Sequence, residues 1–241
     1  MYISEELIAT IKELQQLTIL EQFYLAGGTN LSIRYNHRES VDIDLFCEDI
    51  IGIEGFSELK KNIEEHFQER IINIGFPTSQ SDELVYLKTI LKTENSFIKV
   101  EFIQGFKLLF PISIIDGMRL ADEKDIGLFK LESLVNRYAE KDLYDLDYIT
   151  DNPNQSLEKL MSLYAQKKQL YIDSNINTIF TLSNDFCPLK NPELLLLENH
   201  IEAQGKIPYH SDSKLRNNKT SFRYHKLNWN VKVKSFLKNS I

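Results

Sequence analysis

Residues 25–46, LAGGTNLSIRYNHRESVDIDLF, constrain the fold of this chain more than any other stretch. Phe23-Tyr24-Leu25-Ala26 reads as a short buried strand, and Gly27-Gly28 breaks it where the backbone must turn sharply. Thr29 is the expected N-cap of a helical segment Asn30–Tyr35. The free N–H groups of such a helix start, uncrowded by side chains, form an anion site suited to a triphosphate. Val41–Phe46 then alternates apolar and polar residues, as a half-buried strand does. Asp42 and Asp44 therefore project from one face, while Val41, Ile43 and Leu45 are expected to face the core. Two carboxylates so close repel, which would lift one pKa above the usual value of about 4. A bound divalent cation removes that penalty, and hard oxygen ligands favour Mg²⁺ or Mn²⁺. A Gly-Gly turn alone, or an Asp-x-Asp alone, reads as ordinary structure. A phosphate-holding turn just upstream of a metal-holding pair points to nucleotidyl transfer.

The remaining periodicities build an α/β frame around this stretch. Leu7, Ile8, Ile11 and Leu14 form one stripe of a leading helix over Glu5–Leu17. Phe56, Leu59, Ile63 and Phe67 form another stripe, over Phe56–Phe67. Arg70–Ile74, Glu83–Leu91 and Ser96–Ile103 read as strands, the last two joined through Lys92–Asn95 as a hairpin. Pro111 and Asp116-Gly117 punctuate the end of this half. From Asp122 the pattern turns helical: Leu128, Leu131, Leu134, Val135 and Tyr138 mark one helix, with others at Leu143–Ile149 and Leu157–Leu170. The expected architecture is thus an α/β (α+β) core over residues 1–120, a mixed sheet with flanking helices, followed by a mainly helical half over 121–241. A cleft between two such parts is where a ligand would be expected.

Composition excludes several classes. At 241 residues, 42% hydrophobic and 26% charged, the chain can bury a sizeable core and has the make-up of a soluble globular protein. It contains no apolar run long enough to span a bilayer, so no membrane partner is expected. The first residues lack the basic and apolar regions of a signal peptide, which predicts a cytoplasmic location. Cys47 and Cys187 have no metal-ligand spacing and are expected to be reduced and structural. The net charge of −7 is unevenly divided. Residues 1–202 carry 19 Lys and Arg against 34 Asp and Glu, a balance of −15; residues 203–241 carry 9 against Asp212 alone, a balance of +8. This basic tail, interleaved with Tyr209, Phe222, Tyr224, His225 and Trp229, suits either contact with RNA phosphates or docking on an acidic protein surface, its own included.

Metal-dependent transfer needs a further carboxylate from another strand to complete the metal site and to position or deprotonate the attacking hydroxyl. Glu101, late in Phe97–Ile103, is the best candidate; the plainer alternative is a solvent-facing glutamate. In the helical half, Lys130 and Arg137 are seven apart and share a helix face, where two cations could meet phosphates. Asp142 and Asp145 share a face of the next helix. The alternative there is a salt bridge tying helices together, for example Arg137 to Asp142.

Taken together, Leu25–Thr29, His37–Phe46, Ile115–Ala121 and the series Asp125, Lys130, Arg137, Lys141-Asp142 and Asp145 resemble the AbiEii-type nucleotidyltransferase toxins, within the DNA polymerase β-like superfamily. The resembling motifs cover residues 20–150; the last third resembles the family only loosely. The resemblance implies a nucleotidyltransferase fold and Mg²⁺-dependent transfer from an NTP, in some members onto the 3′ end of tRNA. It also implies a type IV toxin–antitoxin or phage-defence setting, with an antitoxin partner. By the same resemblance, Gly28 and Thr29 hold the triphosphate, Asp42 and Asp44 the metals, and Lys130 the nucleotide; Asp145 matches a further motif position. Gly27, in the same turn, and Arg137, on the same helix face as Lys130, are the adjoining candidates for holding phosphate. Two departures stand out: Glu101 replaces the usual aspartate, and Gly-Gly-Thr replaces Gly-Ser. Other acceptors, a protein or small-molecule hydroxyl, use the same core, and a catalytically weak regulatory homologue is the reading of another class.

Overall fold

In the computed structural model the residues described are 2–78, 81–137, 139–175, 179, 186–201 and 221–239. By contacts the chain divides into two units. The first gathers Met1–Asn36, Ser40–Asp122 and Tyr171–Leu182; the second gathers His37–Glu39, Glu123–Leu170 and Ser183–Ile241.

The first unit is built on a seven-stranded mixed sheet. Helix α1 (Glu5–Gln16) starts where the Ser4 hydroxyl accepts the Leu7 N–H at 3.1 Å, and it buries the expected stripe of Leu7, Ile11 and Leu14. Strand β1 (Tyr24–Leu25) is followed by α2 (Gly27–Tyr35), β2 (Ile43–Phe46) and α3 (Gly52–Phe67). Along α3, Phe56, Leu59, Ile63 and Phe67 are buried together, as their spacing requires. Strands β3 (Ile71–Thr78), β4 (Tyr86–Lys92) and β5 (Phe97–Ile103) form an antiparallel meander. A second hairpin, β6 (Ser113–Ile115) and β7 (Met118–Leu120), turns through Asp116 and Gly117, both at positive φ (49° and 79°). Sequence reading marked Asp116-Gly117 only as a stop. Its three-residue strands are too short to show a period.

The strand order is β3-β4-β5-β2-β1-β7-β6. β2 runs parallel to β5 and β1 parallel to β7, while β1 and β2 are antiparallel. This order puts β2 against β5, two strands far apart in the chain. Their register pairs Ile43 with Val100, Asp44 with Glu101 and Leu45 with Phe102. Because side chains alternate, the apolar members of these pairs share the core face and Asp44 and Glu101 share the other. Val41, expected to face the core, instead precedes β2 and is 52% exposed. The strand is two residues shorter at its start than the alternation suggests.

The second unit is helical: α4 (Glu123–Asn136), α5 (Glu140–Thr150), α6 (Leu157–Ser174), whose last residues from Tyr171 count with the first unit, and α7 (Phe222–Asn239). Tyr138, counted above toward the first of these helices, lies outside the described residues, as do Tyr209 and Asp212 of the basic tail. Three aspartates of α5, Asp142, Asp145 and Asp147, are buried, and each is matched by cations. Lys167 of α6 reaches Asp125 of α4 at 2.8 Å. The described part of the tail, α7, docks within its own unit. Trp229 is fully buried and donates its Nε1–H to the Leu195 carbonyl at 2.7 Å. His225 Nδ1 lies 2.8 Å from Asp147, and Lys232 binds both Asp147 and Asp151.

Candidate active site

Strand β1 ends at Leu25; the next residue, Ala26, donates its N–H to the Asp44 carbonyl at 2.8 Å, and the chain enters α2 at Gly27. Gly27 has φ +63°, and a Cβ built on it would stand 1.9 Å from Asp44 Oδ2. The position therefore demands glycine on both counts: the backbone is left-handed, and the Asp44 carboxylate fills the space a side chain would take. An acidic group at the first turn of a helix is also favoured by the helix dipole.

Thr29 lies inside α2 rather than capping it; the N-cap position falls at Ala26, which offers no side-chain bond. The helix begins three residues early because Gly27, Gly28 and Thr29 enter it instead of preceding it. Thr29 is buried. Its hydroxyl donates to the Asp42 carbonyl and sits 2.8 Å from the Ser40 hydroxyl, so it pins the loop that delivers Asp42. Asn30, one residue on, fastens the helix to the sheet by donating to the carbonyls of Leu25 (2.8 Å) and Ala121 (3.0 Å).

On the polar face of the β2–β5 pair, with Asp42 in the loop just before β2, stand Asp44, Glu101 and a residue not among the sequence candidates, Lys99. Its ammonium lies 3.5 Å from Asp42 Oδ2 and 3.3 Å from Glu101 Oε2. Lys88 of β4 approaches Glu101 from the other side at 4.0 Å. Partial burial works against the charge of Lys99, but Asp42, Glu101 and Asp44 outweigh it and raise its pKa above the ordinary lysine value. The signal was present in the sequence, since Lys99 is two residues before Glu101 and shares its face. Finding it needed the knowledge that Glu101 itself belongs beside Asp44. Among the described residues no three Asp, Glu, His or Cys side chains converge closely enough to enclose a metal ion. The donor set nevertheless suits a hard divalent ion: the oxygens of Asp42 and Glu101 already share one cation, the Lys99 ammonium, as a stand-in.

The remaining predicted residues form a largely buried charge network within the second unit. Asp145 takes a two-pronged contact from Arg38, Nε at 2.6 Å and Nη2 at 2.8 Å, and lies 2.9 Å from His37 Nε2. Lys130, only 5% exposed, bridges Asp145 (3.0 Å) and Asp142 (2.6 Å), and Arg137 closes the chain on Asp142 at 2.7 Å. Burial alone would raise both aspartates; Arg38 and Lys130 instead hold Asp145 well below the usual carboxylate range, and Lys130 with Arg137 lowers Asp142. Burial lowers the His37 pKa, against the pull of Asp145. The two cysteines are free, and burial pushes the Cys47 thiol up to about 12.

The sheet order, with a glycine-started helix and paired carboxylates on its polar face, defines a nucleotidyltransferase fold. Two solved structures share it: a protein from H. pylori assigned as a nucleotidyltransferase (TM-score 0.54, 18% identity, covering 98% of this chain and 96% of that one), and MenT4, a nucleotidyltransferase toxin from Mycobacterium tuberculosis H37Rv (TM-score 0.56, 17% identity, covering 94% and 83%). At these identities the likeness is one of fold. In sequence, an uncharacterized Aquifex aeolicus protein is 29% identical over 167 residues, 69% of this chain and 75% of that one. The model of the family described as nucleotidyl transferase AbiEii toxin, type IV TA system, matches residues 11–204. The chain belongs to this family, and it is a nucleotidyltransferase.

Proposed function

We propose that this enzyme transfers a nucleoside monophosphate from an NTP, with Mg²⁺ or Mn²⁺, to RNA, with the 3′ end of tRNA as the leading acceptor. The observation that carries the reading is the pairing of Asp44 with Glu101 on one face of adjoining strands, with Asp42 just before β2 and Asp44 against the start of α2. When bound, a divalent ion would offset the triphosphate charge and favour departure of pyrophosphate. Asp42, Asp44 and Glu101 would hold it. The backbone N–H groups of Gly27, Gly28 and Thr29, at the helix start, would receive phosphate oxygens. The acceptor oxygen bonds to the α-phosphorus as the bond to the β-phosphate oxygen breaks. Its proton passes to Glu101, whose extra methylene relative to aspartate lengthens its reach. Lys130, Arg137 and Asp145 enter the proposal as residues that support nucleotide handling. Lys130, held by two buried carboxylates, does so by fixing α4 and α5.

In this reading the enzyme acts in the cytoplasm as a toxin restrained by a cognate antitoxin, in a phage-defence setting. Growth arrest on expression, absent for Asp44→Asn, tests the toxin part. The chemistry is tested by incubating the protein and Mg²⁺ with each labelled NTP, and with total RNA or protein extract in separate reactions. Label on RNA, lost by about a hundredfold or more in Asp44→Asn, is expected. Label confined to protein would transfer the acceptor assignment to a protein hydroxyl. An undiminished rate in Asp44→Asn would refute the site.

A further inference from the structure

Lys99 is hard to account for as scaffolding. Its neighbours along β5 on the core face, Ile98 and Val100, are buried, whereas Lys99 sits on the polar face with its side chain 33% exposed. A lysine on an exposed sheet face normally extends into solvent, because fixing it costs side-chain entropy for little Coulomb gain. This one turns between two carboxylates, one from the loop before β2 and one from its own strand, 3.5 Å from Asp42 and 3.3 Å from Glu101. These are two of the three groups assigned above to the divalent ion. An oxygen directed at an ammonium is not directed at a metal, and a fixed positive charge within a few ångströms of an ion repels it. It also fits that no three ligand-type side chains converge among the described residues.

We propose that Lys99 is a resident counter-cation that occupies the Asp42–Glu101 position in the substrate-free enzyme, so that a divalent ion enters productively only together with the anionic triphosphate. This inference rests on the carboxylate reading of the site and adds its control. The four negative charges of an NTP attract the ammonium away from Asp42 and Glu101, and those oxygens turn to the ion. Metal and nucleotide binding are then coupled: each raises the affinity for the other, through one lysine that competes with the first and contacts the second. Lys88, at 4.0 Å from Glu101 and not seen to reach Asp42, does not share this role.

The test is Mn²⁺ binding to the full-length protein, followed by paramagnetic resonance of the free ion, without nucleotide and with a non-hydrolysable NTP analogue. Wild-type protein is expected to bind Mn²⁺ weakly alone and at least about tenfold more tightly with the analogue. Lys99→Met is expected to bind Mn²⁺ about tenfold more tightly than wild type without nucleotide, and to lose most of the enhancement. Lys99→Arg, which keeps the charge, should stay near wild type. Lys99→Gln serves in place of Lys99→Met if the latter does not fold. A gain in metal affinity on removing a side chain is a result that a structural role would not produce. Unchanged or weaker Mn²⁺ binding in Lys99→Met and Lys99→Gln overturns the proposal. Wild-type Mn²⁺ binding that persists in Asp42→Asn and Asp44→Asn overturns the carboxylate reading instead, so the two failures are distinct.

Discussion

At the scale of single residues, Gly27 carries the sharpest constraint in the chain. It combines a left-handed backbone with an Asp44 carboxylate where a Cβ would go. Gly27→Ala should cost about 1–2 kcal/mol from the backbone alone, and more from the clash, read as a lower urea midpoint. Because the clash is with Asp44 itself, transfer should fall by about a hundredfold even where the variant is folded. Thr29 is a milder case. Thr29→Ser keeps the hydroxyl that donates to the Asp42 carbonyl, whereas Thr29→Val loses it and leaves that carbonyl without this donor. Thr29→Val should therefore lower both stability, by about 1–3 kcal/mol, and transfer, and Thr29→Ser should preserve transfer, as thermal unfolding and labelled-NTP assays would show.

At the scale of elements, α5 is held by charge as much as by apolar packing. Its Asp145 meets Arg38, His37 and Lys130 in a buried setting, and its Asp142 meets Lys130 and Arg137. Removing one member strands the others: Asp145→Asn should destabilise by about 3–5 kcal/mol, while Arg137→Gln, at a side chain 32% exposed, should cost less. The same network sets an acid dependence. His37 is held neutral with a lowered pKa, so between its folded value and about 6.5 the unfolded chain binds more protons and stability falls as pH falls. Asp142 and Asp145 have lowered pKa values, so their contribution is complete above about 4 and is lost as pH drops through their folded values. Urea midpoints should therefore decline from about pH 6.5 downward, in two stages. His37→Asn should remove the upper one.

At the scale of the whole molecule, the uneven charge of the chain has a partial structural answer. Two of the four described lysines of the cationic tail form internal ion pairs: Lys232 with Asp147 and Asp151, and Lys234 with Glu198 at 3.5 Å. Arg223 and Lys238 are exposed on α7, and no acidic residue lies on that helix. If α7 contacts RNA, Arg223→Gln with Lys238→Gln should weaken RNA binding and reduce its salt slope by about one per charge removed, with thermal stability unchanged. Trp229→Ala, by contrast, should unseat the helix at a cost of about 3–5 kcal/mol. Periodicity made the leading helix, α3, the β4–β5 hairpin and the helical half legible, because each is a local repeat of apolar residues. The glycine turn and the Asp42/Asp44 pair were legible for the same reason: their spacing is short enough that backbone geometry alone relates them. The N-cap, the extent of β2 and the β6–β7 hairpin were not, since one or two residues of boundary carry no period. Sequence alone pointed to the class of chemistry, nucleotidyl transfer, from a glycine pair followed by two closely spaced aspartates. Only the tertiary structure set β5 beside β2 and so brought Lys99 between Asp42 and Glu101. Contacts of that kind depend on strand order and register, which are settled by long-range packing of the core and leave no mark on neighbouring letters.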